Sequence, residues 1–288
     1  MNAPAHSVAE LLKQAESQIR RQKSLSYSAP ALEARLLFEH ASGKNHSWQI
    51  AHGEETVTTD LRKDFCSLLS QRLSGVPIAF IIGTQDFWSL TLAVSDCTLI
   101  PRQDTESLVE AALSLALPET AKVIDLGTGT GAIALALAKE RPKWQVIGVD
   151  FVPAAVELAK QNAQRNQLSV AFLQSNWLEA VKHLQFDLIV SNPPYVESGS
   201  EYLQQGDLRF EPDSALSSGE DGLDDIRCII EQAYDCLLPN GYLVIEHGYT
   251  QSEAINDLLS AKGFLQITTK TDYNGQPRVT LAQMNKRA

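Results

Sequence analysis

Cysteine is scarce in this chain and falls into no useful spacing. The four residues, Cys66, Cys97, Cys228 and Cys236, form no C-x-x-C pair, so neither a zinc site nor a disulfide framework is indicated. The six histidines are scattered, and His247, directly after Glu246, reads as a strand-end structural residue rather than a metal ligand. No apolar run approaches the ~20 residues of a membrane span, and no basic segment followed by an apolar stretch opens the chain. The expectation is a cytoplasmic protein with reduced thiols and no membrane association. A basic excess is also missing: 24 Lys and Arg face 35 Asp and Glu, for a formal net charge of −11. Affinity for nucleic acid comes mostly from Lys and Arg neutralising phosphates, so this balance argues against nonspecific DNA binding. What is present is ample apolar material, 44% of 288 residues, in a length that fits one large or two modest domains.

Residues 1–75 carry apolar positions at helical spacing: Val8, Leu11, Leu12, Ala15 and Ile19, then Ala31, Leu32, Leu36, Leu37 and Phe38, then Leu61, Phe65, Leu68, Leu69 and Leu73. They predict a small helical bundle without a catalytic cluster. Residues 76–98 read as a β-hairpin linker, with Ile78 to Gly83 and Leu90 to Val94 as its strands and the turn near Gln85 to Ser89. From Leu99 to the end, helices at 105–116, 131–140, 153–165, 224–237 and 250–262 alternate with strands at 122–127, 145–150, 170–175, 186–191 and 241–247. Such alternation predicts an α/β fold with a mostly parallel, doubly wound sheet. Two last strands, 265–272 and 278–283, joined through Asn274-Gly275, form an antiparallel hairpin. The stretch from Val196 to Asp221 has little apolar periodicity and reads as a lid over a substrate or as a surface insertion.

Two loops at strand ends carry chemistry. The first is Gly127-Thr128-Gly129-Thr130-Gly131, between the strand Val123-Ile124-Asp125-Leu126 and an alanine-rich helix. Glycines there let the backbone turn tightly and approach a ligand. The spacing is G-x-G-x-G, not the dinucleotide fingerprint. Asp125 in front of it would repel a pyrophosphate and favour a ligand carrying positive charge, such as an α-amino group near a sulfonium. The next strand ends in Asp150, nineteen residues after Gly131, where a carboxylate can accept from both hydroxyls of an unphosphorylated ribose. A nucleoside and an amino acid without phosphate point to S-adenosylmethionine.

The second loop is Asn192-Pro193-Pro194-Tyr195, straight after the apolar run Phe186 to Val190. Two prolines cannot donate to a sheet, so pairing stops there. The corner presents one carboxamide, free carbonyls and an aromatic ring, a set able to accept both N–H groups of a planar amide or amine. A plain proline turn at a strand end would look the same, but the glycine loop and Asp150 in the same chain make the combination specific.

In these motifs the chain resembles the PrmC/HemK family, which methylates the side-chain amide of a glutamine in class I peptide chain release factors. The similarity also takes in Gly75-Val76-Pro77, Leu99-Ile100-Pro101-Arg102-Gln103-Asp104-Thr105-Glu106, Glu211-Pro212, Gly219 to Leu223, Glu246-His247-Gly248 and Gly275 to Val279. Gln103 replaces the family's usual proline, and Asn176, before Trp177, stands where the family often has Asp. The resemblance implies a Rossmann-like, seven-stranded class I methyltransferase domain over 99–288, preceded by the hairpin linker 76–98 and by a helical domain, 1–75, that recognises the protein substrate. It implies S-adenosyl-L-methionine as cofactor, held by Gly127 to Gly131, Asp150, Trp177 and Asn192, with S-adenosyl-L-homocysteine as product. Asn176 can still accept from the adenine amino group. Asn192, Pro193, Pro194 and Tyr195 would bind the glutamine. Within that corner the Asn192 oxygen and the Pro193 carbonyl would each accept one amide N–H, and Tyr195 would either cover the substrate amide or simply pack at the strand end. Trp177 would stack in the adenine pocket or serve as a core side chain. Arg102 and Glu106 would lie near the cofactor-side entrance. The implied partner is a class I release factor, with no direct nucleic acid and a monomeric enzyme. Competing readings are an N6-adenine DNA or RNA methyltransferase, which shares the corner but needs a basic groove, and a catalytically silent S-adenosylmethionine-binding scaffold.

Overall fold

A computed structural model describes residues 6–22, 25 and 29–284. The chain divides into two compact units, Met1–Gly83 with Gln204–Phe210, and Thr84–Leu203 with Glu211–Ala288. In the first, helices α1 (Val8–Arg21), α2 (Pro30–Ser42), α3 (His46–Ala51), α4 (Thr59–Leu73) and α5 (Ile78–Ile82) surround one apolar cluster. Helix α1 starts where the Ser7 hydroxyl accepts from Glu10 N and the Glu10 carboxylate returns the bond to Ser7 N, a reciprocal cap that satisfies two orphan donors. Val8, Leu11, Ala15 and Ile19 form its buried stripe.

At α5 the structure corrects the sequence reading. Residues 78–82 are helical, not the first strand of a hairpin; Pro77 sets the entry and Gly83, at φ +79°, terminates the helix. The hairpin instead joins β1 (Thr84–Phe87) to β2 (Leu90–Ala93). It is packed on the second unit, where Phe87, Leu90 and Leu92 enter the core. Asn162 clamps it by accepting from Ala93 N and donating to Ala93 O.

The second unit also holds α6 (Glu106–Leu113), β3 (Lys122–Leu126), α7 (Ala132–Glu140), β4 (Gln145–Asp150), α8 (Pro153–Arg165), β5 (Ala171–Gln174), β6 (Phe186–Ser191), α9 (Asp224–Cys236), β7 (Leu237–Glu246), α10 (Ser252–Lys262), β8 (Leu265–Thr271) and β9 (Pro277–Gln283). The sheet order is β5-β4-β3-β6-β7-β9-β8. The first five strands run parallel, and β9 lies antiparallel to both β7 and β8. Because successive strand residues face opposite sides, Val123, Leu188 and Val190 join α6, α7 and α8 in one core, while Ile124, Leu126 and Ile189 join α9 and α10 in another. Sequence order reverses between β3, whose chain continues to β4 on one side, and β6 on the other. That switch point is where open α/β sheets leave a crevice. Among the described residues, no helix is long and apolar enough to cross a membrane.

Candidate active site

The sheet register sets three strand ends side by side: Leu126 pairs with Val149 on one flank and with Ser191 on the other. The glycine loop, Asp150 and the Asn-Pro-Pro-Tyr corner therefore emerge at the same level, around a cavity of about 370 Å³. Its walls include Gly127, Thr128, Gly129 and Thr130, together with Asp150, Trp177, Asn192 and Pro194. Gly131, Pro193 and Tyr195 do not line it.

The loop's shape explains its composition. Gly127 and Gly129 have φ of +67° and +54°, the left-handed region that disfavours a Cβ. A Cβ on Gly127 would also sit 3.2 Å from Cζ3 of Trp177. Gly131 shares the left-handed conformation, at φ +84°, and answers to packing as well, since a Cβ there would meet Ala159, Leu135 and Phe172 at 3.2 Å each. Asp150 ties the loop to β4: Oδ2 accepts from Gly129 N and Oδ1 from Val152 N, both at 2.9 Å. Phe151 N is a third backbone donor acting on this carboxylate; a carboxylate has about four lone-pair sites, so acceptor capacity remains toward the cavity. Burial raises the pKa of this group.

Asp125 departs from the sequence reading. It is fully buried and does not line the cavity. Its Oδ2 accepts from the Thr128 hydroxyl at 2.6 Å and from Ala134 N in the first turn of α7 at 3.2 Å. Oδ1 has no partner, and burial pushes the carboxyl up to about 7. Asp125 is thus a clamp beneath the loop rather than a counter-charge in the cleft.

Trp177 lines the cavity and also packs against the α9 side of the core. Its φ of +48° is unusual for an aromatic residue. Asn176 donates through Nδ2 to Glu179 Oε1 at 3.2 Å, which leaves its carbonyl oxygen as an acceptor. Gln103 is exposed at the start of a short turn ahead of α6.

At the Asn-Pro-Pro-Tyr corner, Asn192 Nδ2 donates to Thr105 Oγ1 at 3.1 Å. The Tyr195 ring packs against the core, and its hydroxyl lies 3.5 Å from Glu246 Oε1. Burial first, then the Glu246 charge, puts the Tyr195 phenol well above its usual range. Arg102 lines the cavity and pairs with Glu211, whose other oxygen accepts from Ile100 N at 3.0 Å. That anchor holds one end of the stretch containing Ser214 and Ala215, which also face the cavity. Glu106 does not reach the cavity; its Oε1 accepts from Trp88 N at 2.7 Å and secures the hairpin turn.

Sequence reasoning missed Thr98, Thr105 and Phe151 as cavity residues. Phe151 had a readable signal, an aromatic side chain at a strand end, and it is 69% exposed. Thr105 had none beyond its place in the family motif. His247 is buried; its Nε2 lies 2.9 Å from Thr280 Oγ1 and Nδ1 is 2.9 Å from Gly248 O. A carbonyl only accepts, so Nδ1 carries the proton and Nε2 accepts from the hydroxyl.

Comparison with known proteins bears on the fold and the family. Residues 118–281 match the family model described as a methyltransferase domain, and residues 10–83 match the PrmC N-terminal domain. The release factor glutamine methyltransferase of Escherichia coli (strain K12) is 44% identical over 273 residues, covering 94% of this chain and 97% of its own. Its counterpart from Salmonella typhimurium is 45% identical over 270 residues, covering 93% and 96%. A solved methyltransferase structure from Pyrococcus furiosus superposes with a TM-score of 0.54 at 17% identity, over 75% of this chain and 98% of that one, a likeness of fold alone. Fold and cleft together define a class I methyltransferase. The helical unit narrows the class, because it carries the match to the PrmC N-terminal domain. The chain belongs to the release factor glutamine methyltransferase family.

Proposed function

We propose that this protein transfers a methyl group from S-adenosylmethionine to the side-chain amide nitrogen of a glutamine in a class I release factor. The observation that carries the reading is the Asn192 carboxamide, held by Thr105 at the cavity wall beside the glycine loop and Asp150. The cleft suits the cofactor: two positive-φ glycines at its wall leave room for close approach, and Asp150 keeps acceptor capacity for a ribose hydroxyl. Trp177 and Phe151 offer apolar faces for adenine. When bound, S-adenosylmethionine supplies an electrophilic methyl group on a sulfonium.

The chain's own residues have to overcome the poor nucleophilicity of an amide nitrogen, whose lone pair is delocalised into its carbonyl. Asn192 Oδ1 accepts one N–H, which favours positive charge on that nitrogen and fixes its direction; the second N–H we assign to the Pro193 carbonyl, next in the chain though not part of the cavity wall. Placement of this kind contributes roughly 7–11 kcal/mol in well-oriented reactions. The helical unit is the region we assign to docking the release factor. We take the enzyme to act as a monomer in the cytoplasm.

The test is incubation with labelled S-adenosylmethionine and either purified release factor or DNA, followed by mass spectrometry to locate the methyl group. Label on a release-factor glutamine is expected; label on adenine alone would overturn the reading. In single-turnover assays at saturating cofactor, Asn192→Ala is expected to retain cofactor binding and slow transfer by roughly 10²–10³, the loss typical of one preorganised polar group.

A further inference from the structure

We infer that Glu246, acting through the hydroxyl of Thr105, is the positioning residue that decides which end of the Asn192 carboxamide meets the substrate. The inference rests on the methyl-transfer reading above and adds to it a side chain from the neighbouring strand. Ser191 on β6 pairs with Ile245 on β7, so Glu246 lies level with Asn192. Glu246 is 2% exposed and Thr105 4%. Glu246 Oε1 lies near the Tyr195 hydroxyl, and Oε2 makes no directional hydrogen bond. No direct hydrogen bond joins the Thr105 hydroxyl to this carboxyl group, but the two interact closely enough for Thr105 to favour its charged form.

The logic is one of hydrogen counting. A hydroxyl has one hydrogen, and an ionised carboxylate only accepts. With Glu246 charged, the Thr105 hydrogen turns toward the carboxylate, and Thr105 can only accept from Asn192. That fixes the Asn192 NH₂ toward Thr105, as the 3.1 Å contact has it, and leaves Oδ1 for the substrate N–H. With Glu246 neutral or replaced, Thr105 can donate to Asn192 Oδ1 instead. The carboxamide can then turn its NH₂ to the substrate, donor against donor, and the amide is no longer held.

Glu246 is also placed to change charge. Burial pushes its carboxyl up to about 7, with Asp104, ahead of α6, adding to the rise. Arg278 on β9 opposes this, and Arg278 is itself shared with Asp272 at 3.2 Å. Tyr195, in the corner, stays protonated. His247, next in the chain, is held toward its neutral form by burial. Arg102 near Tyr195 is engaged by Glu211. The orientation of Asn192 should therefore loosen as pH falls through about 7.

The experiment compares wild type, Thr105→Val, Thr105→Ser and Glu246→Gln in single-turnover methylation of intact release factor, from about pH 6 to about pH 9, with cofactor affinity measured in parallel by calorimetry. The wild-type rate is expected to drop below about pH 7. Thr105→Val and Glu246→Gln should lose about 10²-fold in rate, the effect of misplacing a reacting group by about 1 Å, with cofactor affinity unchanged and the acid-side drop gone. Thr105→Ser should restore both the rate and the profile. Thr105→Val keeps the shape of threonine, so it still decides the matter if Glu246→Gln fails to fold. A Thr105→Val enzyme with wild-type rate and profile, or one that loses cofactor affinity as steeply as rate, overturns the inference while leaving the proposed function intact. A wild type that methylates adenine and no glutamine overturns the proposed function, and the inference with it.

Discussion

Asp150 uses one carboxylate for two tasks. It pins the glycine loop through Gly129 N and the start of α8 through Val152 N, and its spare acceptor capacity faces the cavity assigned to the cofactor. Asp150→Ala is expected to weaken S-adenosylmethionine binding by about 1–3 kcal/mol, the cost of leaving buried polar groups unpaired. Calorimetry giving an unchanged affinity would remove Asp150 from the binding site. Asp125 shows the limit of reading such residues from spacing. The pattern D-x-G-x-G-x-G places an acid near a ligand loop in both cases. Only the pleat of β3 and the approach of α7 decide that this acid turns under the loop, to Thr128 and Ala134 N. Asn192 was legible because two prolines end the strand there, whereas Thr105 came from a segment 87 residues away with no local signal to connect them.

Among the elements, α4 has an unusual dependence on one side chain. Arg72 is 3% exposed and forks onto both oxygens of Glu33 on α2, at 2.9 and 3.1 Å, while its remaining nitrogen donates to Asp207 at 2.9 Å. Removing one partner of a buried pair strands the other charge, at a cost of about 3–5 kcal/mol. Arg72→Ala should lower the urea midpoint accordingly, and Arg72→Lys should recover little because an ammonium cannot reproduce the fork. A midpoint within error of wild type would show that Glu33 finds other compensation. The helices of this unit and the alternating elements of the other were readable because long periodic segments carry their own signal. The stretch 78–87 was not. Ile-Ala-Phe-Ile-Ile is apolar at every position and so fits a strand or a helix; its burial beside α2 and α4 selects the helix. The true first strand, Thr-Gln-Asp-Phe, has a weak pattern of its own and is defined by its pairing with β2.

For the molecule as a whole, the buried titratable groups set how stability follows pH. Asp125 and Glu246 have ordinary values of 3.8 and 4.5 and are raised to about 7 on folding. Between those limits the folded state holds protons that the unfolded chain has released, so their contribution declines as pH rises toward 7. His247 is shifted the other way, below 6.5; the unfolded chain takes up a proton that the folded one refuses, which opposes the decline on the acid side. Two carboxyls outweigh one imidazole. The urea midpoint should therefore be lower at about pH 8 than at about pH 6, and Glu246→Gln should shrink the difference. An equal or higher midpoint at the alkaline end would show that these carboxyls are ionised throughout.

The position of β9 bears on the order in which the protein is made. This strand, the last among the described residues, slots between β7 and β8. It brings Arg278 to the neighbourhood of Glu246 and Thr280 to His247. On the ribosome, β3, β4 and β6 are synthesised well before it and can pair without it, while β7 waits as an open edge, the kind of surface that recruits stray strands. The wall behind the reacting corner is thus the last part of the sheet to be delivered. A nascent chain halted before Arg278 can have its cofactor cleft in place and still lack the charge that steadies Glu246, so competence waits on a strand made after all the neighbours it joins.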